Sequence, residues 1–327
     1  MGEVIPANLN NYPRIGDEPE QQKLRRTIAA LDRGEATPDD LARVQDEVTE
    51  EVIREQVQAG IRLVTDGQIR WDDPITYFAR SLGGVRIAGL VRFFDTNTYF
   101  RQPVVEGPIE WKGPVLVRDL RFAQSRSPVP VKAVVPGPYT LARLSVDQFY
   151  GDLSAMTMAY AEAVLHEVEE LIAAGAPVVQ IDEPSLVRHP DGVDSALAAL
   201  SRLAEIDRPQ GVKLGVLIYW GHLGERLQRL LDLPFDFYGL DFVEGSQDID
   251  YLRNKRLDGR GLGIGLVNGR NTRLERPEEL ARRVREIRDL SGFQIGYLQP
   301  NCGLELLPRA TARRKLEIIA EAVDLLR

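Results

Sequence analysis

A (β/α)8 TIM barrel, an α/β fold, is the class that this sequence predicts, and three observations carry the prediction. Short apolar, β-branched runs recur along the 327 residues, each closing in a polar or Gly/Pro-rich corner. Segments with helical spacing of apolar residues lie between most of them. Residues of unusual chemistry gather at the carboxyl ends of the runs, where barrels of this kind assemble their sites.

The first strand ends near "LNNYPRIG" (9–16). The others are "IRLVTDGQ" (61–68), "VKAVVPGP" (131–138), "PVVQIDEPS" (177–185), "KLGVLIYWGH" (213–222), "DFYGLDFVEG" (236–245), "GIGLVNGRN" (263–271) and "IGYLQPNCG" (295–303). Amphipathic spacing predicts helices over 39–59, 153–174, 221–232, 277–290 and 309–326. Residues 84–124 break the alternation, with aromatics and turn residues but no helical period, and are expected to form an antiparallel β insertion over the barrel mouth. No linker divides the chain, so one domain over 1–327 is expected.

Composition narrows the function. A net charge of −8 argues against nucleic-acid or acidic-membrane partners, because neutralising phosphates needs a clustered positive excess. The N-terminus lacks a basic region followed by an apolar one, and no run of 18 apolar residues exists. A cytoplasmic protein acting on small molecules is expected. One cysteine, Cys302, excludes an intrachain disulfide.

The strand ends hold Asn11, Asp66, Gln68, Asp182, Glu183, His222, Asp241, Asn268, Arg270 and Cys302. In "QIDEPSL" strand alternation sends Asp182 and Glu183 to opposite sides, so one carboxylate faces the barrel axis, where it could bind an amine or move a proton. The alternative is that one acid caps the next segment and the other pairs with an arginine. In "GLVNGRNTR", Asn268, Arg270 and Arg273 offer donors for a carboxylate or phosphate; pairing with nearby glutamates is the alternative. Of the three histidines, His166 lies mid-helix, His189 in a loop, and His222 alone at a strand end. Cys302 sits in the polar corner "QPNCG", a setting suited to a nucleophile or a zinc ligand rather than to packing.

Together "NNYPRIG", "VTDGQIRWDDPITYF", "VVPGPYTLARL", "VVQIDEPSL" and "LQPNCGL", in this order and spacing, resemble the cobalamin-independent methionine synthases over nearly one whole barrel. The resemblance implies methyl transfer from a methyl-folate or methyl-corrinoid carrier to the thiol of homocysteine, which a zinc ion holds as thiolate. The family's ligands are a His-x-Cys pair, a Glu and a Cys. They fall on Tyr219 and Gly221, on Asp241, and on Cys302. Neither Tyr219 nor Gly221 can replace its counterpart. Tight zinc capture is therefore not expected, and a set of His222, Asp241 and Cys302 with a water is the arrangement still open.

The family's substrate-binding Ser falls on Asn11, and its amine-pairing Glu on Gln68, which removes a negative charge. Its catalytic His falls on Arg270, while Asp182 is unchanged. On this reading Asp182 and Arg270 are catalytic, binding the substrate amine and carboxylate, and Asn11, Gln68, Glu183 and Asn268 complete the substrate site. "YWGHLGERLQRLLDLPFDFYGLDF" is closer to the zinc-free N-terminal barrel of the long enzymes. Two alternatives follow: a metal-free enzyme acting on an amino-acid-like or sulfur-containing substrate, and a non-catalytic, folate-binding partner of a separate methionine synthase or corrinoid protein.

Overall fold

The computed structural model describes residues 2–254, 257 and 259–327. Its main sheet is parallel and curled. Seven strands stand in the order β1 (Glu3–Pro6), β10 (Ile295–Pro300), β9 (Gly261–Val267), β8 (Phe237–Asp241), β7 (Lys213–Leu217), β6 (Val178–Asp182) and β4 (Lys132–Pro136). Residues 62–67 fill the place between the two edges through the parallel bridges Ala7↔Leu63, Asn11↔Gly67 and Val64↔Val131. The expected strand over 61–68 is thus a bridged segment, because Gly67 and Gln68 turn the chain at φ +69° and +52°. The architecture is α/β and TIM-barrel-like.

Near-continuous burial along β4, β6, β8 and β9 follows from apolar side chains packed both outward, against helices, and inward. Among the helices, Pro38–Gln58 starts at a Thr37/Asp40 capping box, and Leu153–Ala173 and Arg309–Asp324 are both close to the expected bounds. The barrel interior is not wholly apolar. Asn8 donates to Thr65 at 3.1 Å, and Gln180 donates to the Leu9 carbonyl at 3.2 Å and to Asp182 at 2.7 Å.

Two expectations change. The helix over 221–232 shrinks to Arg226–Leu230, because Gly221 and Gly224 take positive φ and Asp248 accepts the Leu223 and Gly224 N–H groups. The insertion over 84–124 is β only in its first part. A hairpin, β2 (Gly83–Arg92) and β3 (Tyr99–Glu110), pairs Gly83 with Glu110 and Arg92 with Tyr99, and the two-residue β5 (Val146–Asp147) adds to its edge. Val117–Arg126 is a helix that buries Val117, Leu120 and Ala123, a three-residue repeat hidden among polar neighbours. Glu167, fully buried, anchors the join between hairpin and helix by accepting from the Trp111 indole at 3.0 Å and the Leu116 N–H at 2.6 Å.

The hairpin tip reaches the barrel mouth. Phe93 and Phe94 meet Trp220, at the end of β7, with ring centroids 5.3 and 5.5 Å apart, and Phe94 also meets His189. Phe94 and Trp220 join Gln68 as the non-glycine residues with positive φ among those described. Strained backbone thus concentrates at this mouth, as it does around functional sites.

Candidate active site

A cavity of about 310 Å³ opens at the carboxyl ends of the strands, between Asn11, Arg14, Gln68, Trp71, Tyr99 and Glu305. A narrow cleft beside it shares Gln68, Trp71 and Pro74 and continues to Asn10, Asp182 and Tyr219. The mouth loops and the hairpin thus line two adjoining cavities with a shared wall on a packed barrel.

Asp182 is the last residue of β6, in register with Pro136 of β4 and Leu217 of β7. Its carboxylate accepts from the Asn10 amide at 2.8 Å, the Gln180 amide at 2.7 Å and the Tyr219 phenol. Burial pushes this carboxyl up, while these donors and the neighbouring Lys132 pull it down. Lys132 is itself buried at the start of β4, which pushes its ammonium down, and Asp182 is the counter-charge that opposes the shift. Tyr219 stands where the charges of Asp182, Glu305 and Cys302 all bear on it, and burial with these neighbours keeps its phenol protonated.

Glu183 points the other way, as alternation requires, and lines neither cavity. It accepts from the Tyr139 N–H at 3.1 Å and from the Thr140 hydroxyl, and so caps the helix Pro138–Leu144. Burial raises its carboxyl to about 8. Glu183 therefore fixes the backbone under Asp182 from outside both cavities.

Arg270 and Asn268 also lie outside the two cavities. Arg270 is exposed and paired with Glu244 at 3.0 Å, and the Asn268 side chain accepts the Arg270 N–H at 2.8 Å, a local turn. This loop borders a separate open depression with Arg273 and Glu275, held by buried Lys315, which bonds Glu275 at 2.9 Å. The structure does not bring Arg270 to Asp182.

The zinc ion that the resemblance implies does not fit the donor set. Among the described residues no three His, Cys, Asp or Glu side chains are grouped to hold a metal ion, so His222, Asp241 and Cys302 do not form the three-ligand site. His222 is exposed. The Asp241 carboxylate is occupied: it accepts from the backbone N–H groups of Trp220 at 3.0 Å and of Val243 and Glu244 at 2.9 Å, and from the Asn301 amide at 3.1 Å. Cys302 is buried, and desolvation together with Glu305 and Asp241 pushes its thiol above the ordinary value. Tyr219 and Gly221 occupy the positions after β7 where the missing pair would stand.

Asn11 and Gln68 do line the large cavity, and Gln68 bridges it to Asp182. The sequence reading missed Asn10, Arg14, Tyr219 and Glu305 as site residues. "NN" at the first strand end and the Arg of "YPRIG" were available signals; Glu305, three residues beyond Cys302, had none, since a loop glutamate is ordinarily solvated.

Fold and site define a TIM-barrel-like enzyme with a carboxylate-bearing polar pocket for a small molecule. The family described as cobalamin-independent synthase, catalytic domain, matches residues 13–324, and the chain belongs to that family. The methionine synthase of Sulfurisphaera tokodaii is 29% identical over 99% of this chain and 93% of its own length. That of Saccharolobus islandicus is 30% identical over 96% and 93%. Among solved structures, a B12-independent methionine synthase from a Shewanella species, in complex with selenomethionine, superposes over 100% of this chain and 98% of its own, with TM-score 0.81 and 22% identity.

Proposed function

We propose that this protein is a methyltransferase that moves a methyl group from a methyl-folate carrier to the sulfur of a small amino-acid thiol such as homocysteine. Membership of the cobalamin-independent synthase family supports the reaction class, as does the name methionine synthase borne by the relatives. A family described as cobalamin-independent gives a methyl-corrinoid donor no support.

The observation that carries the reading is Asp182, a buried carboxylate at a barrel strand end, fixed by Asn10, Gln180 and Tyr219, in a narrow cleft that shares Gln68, Trp71 and Pro74 with the cavity of about 310 Å³ beside it. In the transfer the carrier's N–CH3 bond breaks and the S–CH3 bond forms. The thiol gives up its proton and the carrier nitrogen gains one. Asp182 holds the substrate ammonium, Asn11 and Gln68 donate to its polar end, and Trp71 and Tyr99 offer aromatic faces to a planar carrier ring. Reacting atoms are thereby held together and shielded from bulk water by the hairpin tip.

The unassembled zinc set favours one second reading, a metal-free enzyme of this fold working on an amino-acid-like or sulfur-containing substrate. Turnover separates the two. Wild-type protein supplied with homocysteine and methyl-tetrahydrofolate is expected to form methionine, detected by mass spectrometry. Asp182→Asn is expected to lower kcat/KM by roughly 100-fold or more, the scale of losing a charge-assisted contact made to the reacting molecule. Absence of methionine from the wild type would sink the methyl-transfer reading.

A further inference from the structure

The replacement of the family's amine-pairing Glu by Gln68 leaves the pocket one negative charge short, and the structure holds a carboxylate that makes up the difference. Three acidic residues besides Asp182 border the site. Asp72 is paired with Arg80. Asp73 accepts from the Ile75 N–H at 2.9 Å, the Thr76 N–H at 2.6 Å and the Arg101 N–H at 3.3 Å. Glu305 is different. Its Oε2 is shut off from solvent and has no hydrogen-bond partner among the described residues, although it lines the same cavity as Gln68. Burying an unpaired carboxylate oxygen is costly unless a cation arrives.

The surroundings are built around this carboxylate. Its own backbone N–H donates to the Asn11 side-chain oxygen at 3.3 Å, and the Asn11 amide donates back to the carboxylate. Gly303 lies directly beneath: a side chain there would run into Glu305 Oε2 and come within 2.6 Å of Asn11 Cγ. Tyr219 and Asp182 line the adjoining cleft, which shares Gln68, Trp71 and Pro74 with the cavity that Glu305 lines, and the charges of both carboxylates bear on the Tyr219 phenol. Arg14 stands across the same cavity. It is held by the Trp71 and Asp72 carbonyls, and it feels Glu305 electrostatically without forming an ion pair with it.

We infer that Glu305 is the second ammonium-binding carboxylate of this pocket, so that the cavity takes an α-amino acid with its ammonium between Asp182 and Glu305 and its carboxylate toward Arg14. The negative charge has moved from the second strand end to the loop after the last strand, while the zwitterion it serves is the same. A thiol lacking the α-amino group then leaves Glu305 without its cation and is disfavoured.

This inference rests on the amino-acid-thiol reading above, and the test separates the two. Binding of homocysteine, of methionine and of 4-mercaptobutanoate, the des-amino analogue, is measured by calorimetry for wild type, Glu305→Gln and the double variant Gln68→Glu/Glu305→Gln. Wild type is expected to prefer the amino compounds. Glu305→Gln should weaken their binding roughly 10- to 100-fold and leave 4-mercaptobutanoate within about 2-fold, since one charge-assisted contact is lost. Restoring the carboxylate at position 68 should recover most of the preference, an outcome that a merely structural role for Glu305 would not give. If wild type binds the amino compounds and Glu305→Gln binds them equally well, or weakens all three ligands alike, the inference falls and the methyl-transfer reading stands. If wild type binds none of them, both fall.

Discussion

The joint between β4 and its helix offers a sharp test of how the site is held. At Gly137, φ −73° and ψ 145° are open to any residue, so alanine there meets no backbone strain. What it meets is the site's support. An added Cβ would lie 2.5 Å from Glu183 Cδ and 2.8 Å from the Asp182 carbonyl oxygen, an oxygen that already accepts the Gly137 N–H at 2.8 Å. Gly137→Ala must push Glu183 off the Tyr139 N–H and the Thr140 hydroxyl, or move the Asp182 backbone. Overpacking of this kind costs about 1–3 kcal/mol, and loosening the two hydrogen bonds to the Glu183 carboxyl adds about 0.5–1.5 kcal/mol each. The expected loss is therefore about 3–5 kcal/mol in urea denaturation, with weaker methionine binding because Asp182 shifts. Glu183→Asp withdraws the colliding carboxylate by one methylene, so the double variant should recover at least about 1 kcal/mol relative to additivity. A Gly137→Ala protein within 0.5 kcal/mol of wild type, or strict additivity in the cycle, would refute the claim that Glu183 and Gly137 together set the position of Asp182.

Two more outcomes are expected. The Glu183 carboxyl is raised from 4.5 to about 8, so the folded state binds the extra proton: its contribution is complete below about pH 4.5 and is lost as pH rises through 8. The stability of Glu183→Gln relative to wild type should then rise by about 1.4 kcal/mol per pH unit across that window, measured by denaturation at pH 5, 6.5 and 8; a constant difference would contradict the shift. For the metal, protein purified without chelators should carry well under one equivalent of zinc by elemental analysis, and its melting temperature should not respond to added zinc. Cys302 should resist thiol reagents until the protein unfolds. Stoichiometric zinc lost in Cys302→Ala would overturn the account of the donor set.

What could be seen in the chain beforehand was what local periodicity encodes. Strand and helix spacing revealed the barrel, because alternating burial leaves its mark on every few residues. The short helix at Val117–Arg126 escaped, since three buried apolar positions among polar ones are too few to fix a period. Sequence also placed Asp182 correctly at a strand end and split it from Glu183, a consequence of the two-residue repeat alone.

Pairing across the barrel lay beyond such reasoning. Whether Asp241 faces a metal or four donors depends on where Trp220 and Asn301 arrive from other strands. Whether Arg270 reaches the pocket or Glu244 is decided by the path of one loop. Glu305 has the same dependence: only the closure of the last strand's loop against Asn11 and Arg14 leaves one carboxylate oxygen of an ordinary glutamate, Oε2, buried without a partner. The sequence by itself determined the barrel and the strand ends that carry its chemistry. The tertiary structure decided which of those side chains share a cavity, because desolvation and hydrogen-bond saturation depend on neighbours that are distant along the chain.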